Sequence, residues 1–361
     1  MRVLVTGHRG YVGSVMMPVL SAAGHTLAGL DAFLYEDCTL APDLEAIPAL
    51  RIDVRDVRPA DLIGFDAVIH LASVPDEAQQ PQRAETSAAI NWWGAVHLAE
   101  QAREAGVRRF LYASSCSVYG TAKRDETLTE DAPVYPVTAA ATAKARAEEG
   151  IARLANASFS PVIMRNATPY GVSPRLRADI VLNNLVGWAH TTGRVRITSD
   201  GTPWRPLVHV EDIAYAFAAA LGAPRRALHG QIFNIGATSE NYQISELAEI
   251  VLAAVPESTI EYVPSLPHSE QRSYRVDFGK LNRTLTTFRP RWNAAFGAKD
   301  LYAALQEAGV THEDLQTRYH RAARLRSLVD TGRLDEQLRW RDPVLAGSRP
   351  EPLASTTGQE R

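Results

Sequence analysis

The sequence predicts a doubly wound α/β fold, in which helices cover both faces of a mostly parallel sheet and a smaller C-terminal region follows. Three observations predict it: short apolar runs alternate with longer helical patterns through the first half, a glycine-rich turn follows the first run, and an acidic residue ends the second. Strands that are separated by helices of this length pair in parallel through right-handed crossovers.

The predicted elements follow in chain order. The strand-like runs are residues 3–6, 25–30, 51–54, 67–71, 110–114 and 161–165. Their nearly uniform apolar character is typical of strands that are buried on both faces. The helical patterns between them include residues 11–23, 85–105 and 138–154. After residue 165 the alternation is irregular, and the further elements are a strand at 232–236 and helices at 244–255, 299–308 and 313–338.

Composition and charge narrow the classes of function. The formal net charge of −3 gives no reason to expect nucleic acid or an anionic membrane as a partner. No apolar run approaches the ~20 residues that span a bilayer, and the N-terminus lacks a signal-peptide pattern. The two cysteines, Cys38 and Cys116, cannot form a disulfide framework, and too few thiols lie near histidines to predict a metal site. We therefore expect a cytoplasmic protein without a metal.

The glycine-rich turn spans residues 7–13 and reads Gly-His-Arg-Gly-Tyr-Val-Gly. Glycines permit a sharp turn and let the backbone approach a pyrophosphate, while the helix that follows supplies unpaired N–H groups and positive potential. A turn with only a structural role is the alternative. The context of strand, turn and helix favours a Rossmann-type dinucleotide site. Its turn residues would be Gly7, Arg9, Gly10, Tyr11, Val12 and Gly13.

The acidic residue that ends the second strand is Asp31, and its place suits the adenosine ribose hydroxyls of a dinucleotide. A carboxylate there repels a 2′-phosphate, so NAD is favoured over NADP. Arg9 in the turn would contact such a phosphate, which leaves NADP open. Asp53 and Val54, at the end of the third strand, are placed to face the adenine, and Asp53 also suits a helix N-cap.

Four further motifs follow the predicted strands. They are His-Leu-Ala-Ser at 70–73, Asn91 in the next helix, Ser-Ser-Cys-Ser-Val-Tyr-Gly at 114–120 and Val-His-Val-Glu-Asp at 208–212. With the glycine-rich turn, they resemble the extended short-chain dehydrogenase/reductase family, specifically its NAD-dependent epimerase/dehydratase branch, which modifies nucleotide sugars. The resemblance runs from residue 1 to about residue 290. It implies NAD as cofactor, a nucleotide-sugar substrate, a homodimer, and cofactor contacts from Leu71, Ala72, Ser73, Asn91 and Lys144.

The resemblance also implies the catalytic residues. In the family, a serine or threonine four residues before the tyrosine of the Tyr-Gly pair hydrogen-bonds the reacting sugar oxygen, and Ser115 holds that position. A Tyr-x-x-x-Lys motif then places two side chains on one helical face, where the lysine orients the nicotinamide ribose and lowers the tyrosine pKa for proton transfer. Lys144 matches the lysine. Ala140 stands at the tyrosine position and cannot transfer a proton.

Three explanations of Ala140 are open at this point. The tyrosine has been lost from an otherwise conventional scaffold, or another group takes its place, or the reaction needs no such proton transfer. Candidates for a relocated base are Tyr135, Thr142 and a water held by Ser115. The sequence favours loss of the tyrosine. An NAD(P)-dependent epimerase or ketoreductase is the leading function, and a ligand-binding or regulatory protein on a disabled enzyme scaffold is the alternative.

The same resemblance implies the substrate contacts. Arginine presents a planar fork that suits phosphate oxygens, so arginines from separate segments would suit a nucleotide diphosphate. The residues implied to bind substrate are Ser117, Thr168, Asn184, Leu185, Arg205 and Arg272, and further arginine candidates are Arg175, Arg177 and Arg275.

Two departures from the family pattern narrow the reaction. Dehydratase members have an Asp-Glu pair after the catalytic residue, whereas this chain has Cys116 and Ser117 there. Decarboxylase members have a glutamate at the position of Ser117. Neither elimination nor decarboxylation is therefore expected, and epimerisation or reduction at a sugar carbon remains.

The length of 361 residues is consistent with two units. We predict a dinucleotide-binding domain over residues 1–172, to which residues 205–240 return. A substrate-binding region is predicted over 173–204 and 241–340. Residues 341–361 are rich in Pro, Ser, Thr and Gly, and we predict a disordered tail there.

Overall fold

A computed structural model describes residues 1–40, 46–75, 81–122, 126–263 and 272–347. The strands in these ranges are β1 (Arg2–Thr6), β2 (Thr26–Asp31), β3 (Ala49–Arg51), β4 (Ala67–His70), β5 (Arg109–Ser115), β6 (Thr127–Leu128), β7 (Ser160–Asn166), β8 (Thr168–Tyr170), β9 (Arg194–Ile197), β10 (Trp204–His209), β11 (Ile232–Ile235), β12 (Asn241–Gln243), β13 (Thr259–Tyr262) and β14 (Arg275–Val276).

The α-helices in the same ranges are α1 (Tyr11–Ala22), α2 (Pro81–Ala88), α3 (Ala95–Glu104), α4 (Ala139–Ala152), α5 (Val181–Thr192), α6 (Val210–Gly222), α7 (Arg225–Leu228), α8 (Ile244–Ala254), α9 (Gly279–Thr284), α10 (Ala294–Glu307), α11 (His312–Gln316), α12 (Arg321–Asp330) and α13 (Pro343–Ala346). None of the helices in the described ranges is long and apolar enough to cross a bilayer.

The central sheet has seven parallel strands in the order β11-β7-β5-β4-β1-β2-β3. This order confirms the doubly wound fold, because the chain runs outward from β1 in one direction and then returns to run outward from β4 in the other. The third strand lies at Ala49–Arg51 and not at residues 51–54, where it was predicted. Asp53 ends the extended backbone because its carboxylate accepts a hydrogen bond from Arg55 N and caps a 3₁₀ turn.

The strands are buried on both faces of the sheet, as their apolar runs predict. Along β1, Val3 and Val5 lie in one core cluster with Phe217 of α6. Leu4 lies in a second cluster with Leu98 of α3, on the opposite face. Successive side chains of a strand point to opposite faces, so both faces of this strand must be apolar.

The helix predicted over residues 85–105 is not uniform. Helices α2 and α3 are joined by a π-helical segment, Ala89–Gly94, which carries Asn91. Short π-helical insertions in α-helices occur frequently at functional sites. The helix predicted over residues 138–154 is α4, and the Thr138 hydroxyl caps it by accepting a hydrogen bond from Ala141 N.

A third core cluster lies in the part of the chain predicted to bind substrate. Leu182 and Leu185 of α5 pack there with Val251 of α8 and Leu301 of α10. Strand β9 pairs in parallel with β13 beside these helices. This cluster forms a separate apolar core outside the central sheet.

The single terminal helix predicted over residues 313–338 is wrong. The structure has two shorter helices, α11 and α12, followed by turns. Leu325, Leu328, Leu334 and Leu338 lie in the same core cluster as Leu30 of β2, so residues 325–338 pack on the dinucleotide side. The sequence assigned them to the substrate-binding region. Helix α13 lies within the predicted disordered tail, whose residues 348–361 are outside the described ranges. The domain boundaries stay predictions.

Candidate functional site

A cavity of about 950 Å³ lies beyond the carboxyl ends of β1, β2, β4 and β5. It includes the point between β1 and β4 where the strand order changes direction, which is where ligands bind in open α/β sheets. The predicted site residues that border it are Gly7, Gly10, Tyr11, Val12, Gly13, Asp31, Asp53, Val54, Leu71, Ala72, Ser73, Ser115, Ser117, Ala140, Lys144 and Arg272.

The glycine-rich turn is packed too closely for side chains. Gly7 has a φ of +70°, and a Cβ on it would lie 2.7 Å from the backbone nitrogen of Ala72. A Cβ on Gly13 would lie 2.2 Å from the carbonyl oxygen of Gly7. The first N–H groups of α1 have no partner within the helix, and the residues that carry them border the cavity. These N–H groups and the helix dipole suit a pyrophosphate.

The Asp31 carboxylate is fixed at the end of β2. It accepts hydrogen bonds from Arg9 N at 3.0 Å and from Phe33 N at 2.7 Å. Arg9 itself does not border the cavity, and its contact with Asp31 is made by its main chain. A negative charge therefore faces the cavity where a 2′-phosphate would bind, and this favours NAD over NADP.

Asn91 does not border the cavity either. Its side-chain amide accepts from Val74 N at 2.9 Å and donates to Val74 O at 2.9 Å and to the hydroxyl of Ser87 at 3.1 Å. Val74 itself borders the cavity, together with the loop before it. The π-helical segment therefore positions the loop that follows β4, and Asn91 acts on the cavity through the main chain of that loop.

Asp53 has the capping role that the sequence predicted, and its contact with adenine stays a prediction. It borders the cavity and caps a turn, and its Oδ2 lies 2.6 Å from Arg55 Nη2. Burial alone would raise the pKa of the Asp53 carboxyl, but the hydrogen bonds and charge of Arg55 outweigh it and lower the pKa. The carboxylate is therefore ionised at neutral pH.

Lys144 lies on the wall formed by α4. Its Nζ donates to the carbonyl of Ala113 at 2.8 Å and lies 5.2 Å from the centre of the Tyr112 ring. Desolvation lowers the pKa of Lys144 to about 8, with a smaller opposing contribution from Glu148. Below that pH a cation borders the cavity at this position.

Ser115 and Ala140 face the same cavity as Lys144. The Ser115 hydroxyl accepts from Ser117 N at 3.1 Å and so caps the 3₁₀ turn that follows β5. Ala140 lies four residues before Lys144, so both belong to one face of α4. A tyrosine side chain at residue 140 would reach from that face toward the cavity.

Two of the candidate relocated bases lie elsewhere. Tyr135 is 65% exposed and does not border the cavity. The Thr142 hydroxyl donates to the carbonyl of Thr138 at 3.0 Å, along its own helix, and Thr142 does not border the cavity either. The hydroxyl-bearing residues that do border it on this wall include Ser115, Ser117 and Thr138.

Four residues implied to bind substrate do not border the cavity: Thr168, Asn184, Leu185 and Arg205. Leu185 is 3% exposed because it packs in the third core cluster. Asn184 precedes it in α5 and does not border the cavity either. Asn166, which ends β7, borders the cavity where Thr168 was expected, and its Nδ2 donates to Ser114 O at 3.2 Å.

Arg205 supports Arg272, which borders the cavity. Arg205 is 5% exposed, and its guanidinium donates to the main-chain carbonyl of Arg272 and, at 2.8 Å, to that of Trp204. Burial beneath the main chain removes Arg205 from direct contact with the cavity. The predicted arginine pair is thus one residue at the cavity wall and one behind it.

Several residues that border the cavity had weak or no sequence signals. Arg177 and Asp179 form an ion pair with Nε and Oδ1 2.9 Å apart. Arg321 and Tyr35 border the cavity near them, and the guanidinium of Arg321 lies 4.4 Å from the centre of the Tyr35 ring. Arg321 lies beyond the motifs that carry the family resemblance, so only the folded chain brings it to the cavity.

A buried ion pair fixes α4 behind the site. Arg165 Nη2 lies 2.7 Å from Glu148 Oε2, and the Ser114 hydroxyl donates to Glu148 Oε1. Burial alone would lower the pKa of the Arg165 guanidinium, but its contacts with Glu148 raise it. The pair joins α4 to β5 and β7 and therefore sets the position of the helix face that carries Ala140 and Lys144.

The fold and this cavity define a dinucleotide-binding α/β protein of the Rossmann type. Residues 3–236 match the family model described as the NAD dependent epimerase/dehydratase family. The chain therefore belongs to this family, which lies within the extended short-chain dehydrogenases/reductases.

Relatives with known names support the same assignment. The chain is 33% identical over 269 residues to a UDP-glucose 4-epimerase of Mycolicibacterium smegmatis, covering 71% of this chain and 83% of the relative. It is 27% identical over 294 residues to a dTDP-D-glucose 4,6-dehydratase of Mus musculus, covering 75% and 80%. Among solved structures, MoeE5 in complex with UDP-glucuronic acid and NAD has a TM-score of 0.73 and 25% identity, covering 85% of this chain and 100% of that chain.

NAD is the cofactor of this family, and the residues at the cavity fit it. The backbone of the glycine-rich turn leaves room for a pyrophosphate, and Asp31 offers acceptors for ribose hydroxyls. Lys144 borders the same cavity from α4. Among the described residues, no group of three or more His, Cys, Asp or Glu side chains could hold a metal ion.

Proposed function

We propose that the protein binds NAD and a nucleotide-activated sugar in this cavity and transfers hydride between a sugar carbon and the nicotinamide, as an epimerase or a ketoreductase. The observation that carries the proposal is that one cavity is bordered by both the glycine-rich turn and a second group of residues, Ser115, Lys144 and Arg272. The first set suits a dinucleotide, and the second suits a sugar and a phosphate.

Bound NAD supplies the hydride acceptor. Lys144 Nζ, held by the carbonyl of Ala113, orients the nicotinamide ribose by hydrogen bonds. The Ser115 hydroxyl accepts a hydrogen bond from Ser117 N with one lone pair, so its O–H can donate to the reacting sugar oxygen and its second lone pair can accept from a water. Arg272 brings a guanidinium to the cavity for the diphosphate of the sugar nucleotide.

The proton of the sugar hydroxyl needs a route that Ala140 cannot provide. We propose that it leaves through a water held by Ser115, because Tyr135 and Thr142 lie away from the cavity. General acid–base catalysis by a positioned side chain contributes about 10²–10⁴-fold to rate. Turnover by this chain should therefore be slower by about that factor than with a phenol at residue 140.

The substrate is proposed to be a UDP-linked hexose or its uronic acid. A relative at 33% identity is named UDP-glucose 4-epimerase, and MoeE5 is described in complex with UDP-glucuronic acid. Cys116 and Ser117 stand where an eliminating enzyme needs a carboxylic acid pair, and the Cys116 thiol is 1% exposed, with its pKa raised by burial. Elimination of water is therefore not proposed.

A second candidate function is a ligand-binding or regulatory protein in which the redox step has been lost. Ala140 is the observation that favours it, because the alanine borders the cavity at the position of the usual proton donor. Both candidates require NAD binding. They differ in whether bound sugar nucleotide is ever oxidised.

The test adds a tyrosine at residue 140 and compares three proteins: the wild type, Ala140→Tyr and Ala139→Tyr. Ala139 also borders the cavity and begins the same helix, so Ala139→Tyr controls for a bulky phenol on a different face. We measure NAD and UDP binding by calorimetry, and turnover of UDP-glucose and UDP-glucuronic acid by product analysis.

We expect Ala140→Tyr alone to raise kcat by about 10²–10⁴-fold. Substantial wild-type activity that this substitution leaves unchanged would show that the water route is sufficient. Absence of turnover in all three proteins, with both ligands bound, would favour the binding protein over the enzyme. Failure of the wild type to bind NAD would refute both candidates.

A further inference from the structure

The chain continues for more than 100 residues beyond the part that matches the family, residues 3–236, and its last described part returns to the cavity. We call residues 312–347 the C-terminal segment. The Tyr319 hydroxyl donates to the carbonyl of Thr39 at 3.1 Å, and Trp340 Nε1 donates to the carbonyl of Ala32 at 2.6 Å. Arg324 pairs with Asp37. The segment therefore holds the loop that follows β2.

The same segment also holds the turn that follows β3. Arg55 Nη2 donates to the carbonyl of Gln337 at 3.0 Å, and Arg339 forms an ion pair with Asp56. Leu334 and Leu338 pack with Val54 in one core cluster. Both loops border the half of the cavity where Asp31 and Asp53 lie, which is the adenosine half of a dinucleotide site.

Arg321, at the start of α12, is the residue of the C-terminal segment that borders the cavity. It is 3% exposed, its Nη2 donates to the carbonyl of Arg175 at 2.8 Å, and its guanidinium lies against the Tyr35 ring. Its Nη1 is buried and has no hydrogen-bond partner within the described ranges. A buried donor without a partner is costly, so a ligand that supplies an acceptor is favoured.

The charge of Arg321 is also unbalanced. Asp179, the nearby carboxylate at the cavity wall, forms an ion pair with Arg177, in which Asp179 Oδ1 lies 2.9 Å from Arg177 Nε. No carboxylate lies within ion-pair distance of Arg321 in the described part of the chain. A buried guanidinium that lacks an anion beside a cavity suits a phosphate.

We propose that Arg321 binds the pyrophosphate of the dinucleotide on its adenosine side, and that the C-terminal segment thereby retains the cofactor. The inference rests on the proposed function only in requiring that the cavity binds NAD. The segment links two loops of the adenosine half, so its hydrogen bonds must break before that half can open. Arg321 connects the same segment directly to the bound ligand.

The test compares Arg321→Met with Arg326→Met in the full-length protein. Arg326 lies on the same helix and is exposed, so its substitution controls for loss of one positive charge from α12. We measure the dissociation constants of NAD, ADP-ribose and UDP by calorimetry, and the release rate of bound NAD after dilution. Thermal melting without ligand verifies that each variant folds, and Arg321→Lys provides a milder variant that retains charge without the planar fork.

Arg321→Met should raise the dissociation constants of NAD and ADP-ribose by about 10–100-fold, the range for the loss of a hydrogen bond to a charged group. It should also speed the release of bound NAD. Arg321→Lys should give a smaller loss, while UDP affinity and all properties of Arg326→Met stay unchanged. Wild-type NAD affinity in a folded Arg321→Met or Arg321→Lys protein would overturn the inference and leave the proposed function intact. A loss of affinity confined to UDP would also overturn the inference. A wild type that does not bind NAD would refute the proposed function itself.

Discussion

Replacing Glu148 by alanine removes the carboxylate that fixes α4 against the sheet. Glu148 is 5% exposed and accepts from Ser114 Oγ, from Arg165 Nε at 3.1 Å to each oxygen, and from Arg165 Nη2 at 2.7 Å. Without it, the guanidinium of Arg165 keeps hydrogen bonds to Tyr119 and to the carbonyl of Glu130. Its positive charge is then buried without a counter-charge.

Removing one partner of a buried ion pair costs about 3–5 kcal/mol, because the remaining charge has lost both water and its counter-ion. We expect Glu148→Ala to lower the free energy of unfolding by that amount in urea denaturation. Glu149→Ala is the matched control, since the Glu149 side chain is 67% exposed. Its Oε2 lies 3.7 Å from Nη2 of the exposed Arg153. An exposed pair of this kind contributes about 0–1 kcal/mol.

The double variant Glu148→Leu with Arg165→Met tests whether the uncompensated charge of Arg165 causes the loss of stability. Replacing both charges by apolar side chains of similar size removes the uncompensated charge, so it should recover most of the stability that Glu148→Ala loses. The reasoning is refuted if Glu148→Ala is no more destabilising than Glu149→Ala, or if the double variant is as unstable as the single one.

The remaining predictions concern the cofactor site. Lys144 has a pKa lowered to about 8 by desolvation, so its cation is lost as pH rises through that value. NAD affinity should then weaken above about pH 8, and Lys144→Met should show no such inflection; a profile shared by both proteins would contradict the assignment. Gly13→Ala places a Cβ 2.2 Å from Gly7 O, so the turn must shift and NAD binding should be lost in calorimetry. Gly222→Ala, with nothing within 4 Å of its Cβ, should bind NAD like the wild type, and equal binding by both variants would count against the turn as the pyrophosphate site.

The sequence alone determined the central sheet, the turn and the ends of most strands of that sheet. Apolar runs of strand length, separated by helices, require parallel pairing, and β1, β4 and β5 lie within two residues of their predicted bounds. The turn at residues 7–13 is local, because each of its glycines acts on backbone a few residues away or on the adjacent strand end. Structural features that depend on residues close together in the chain can be predicted from the sequence.

The C-terminal helices show the limit of prediction from the sequence. A continuous amphipathic pattern over residues 313–338 predicts one helix, whereas two helices and a turn place Leu325 and Leu338 in the core on the dinucleotide side. The apolar periodicity was real, but the surface that it covers belongs to β2 and the turn after β3. Periodicity states that a face is buried and does not state against what.

Only the tertiary structure decided which polar residues meet at the cavity. Asn166 and Thr168 are two residues apart, yet the geometry at the end of β7 brings only Asn166 to the wall. Arg205 matched a phosphate-binding pattern and lies behind Arg272. Arg321 matched no pattern and borders the cavity. Position at a cavity depends on packing between segments that are far apart in the chain, and that packing is a property of the folded molecule.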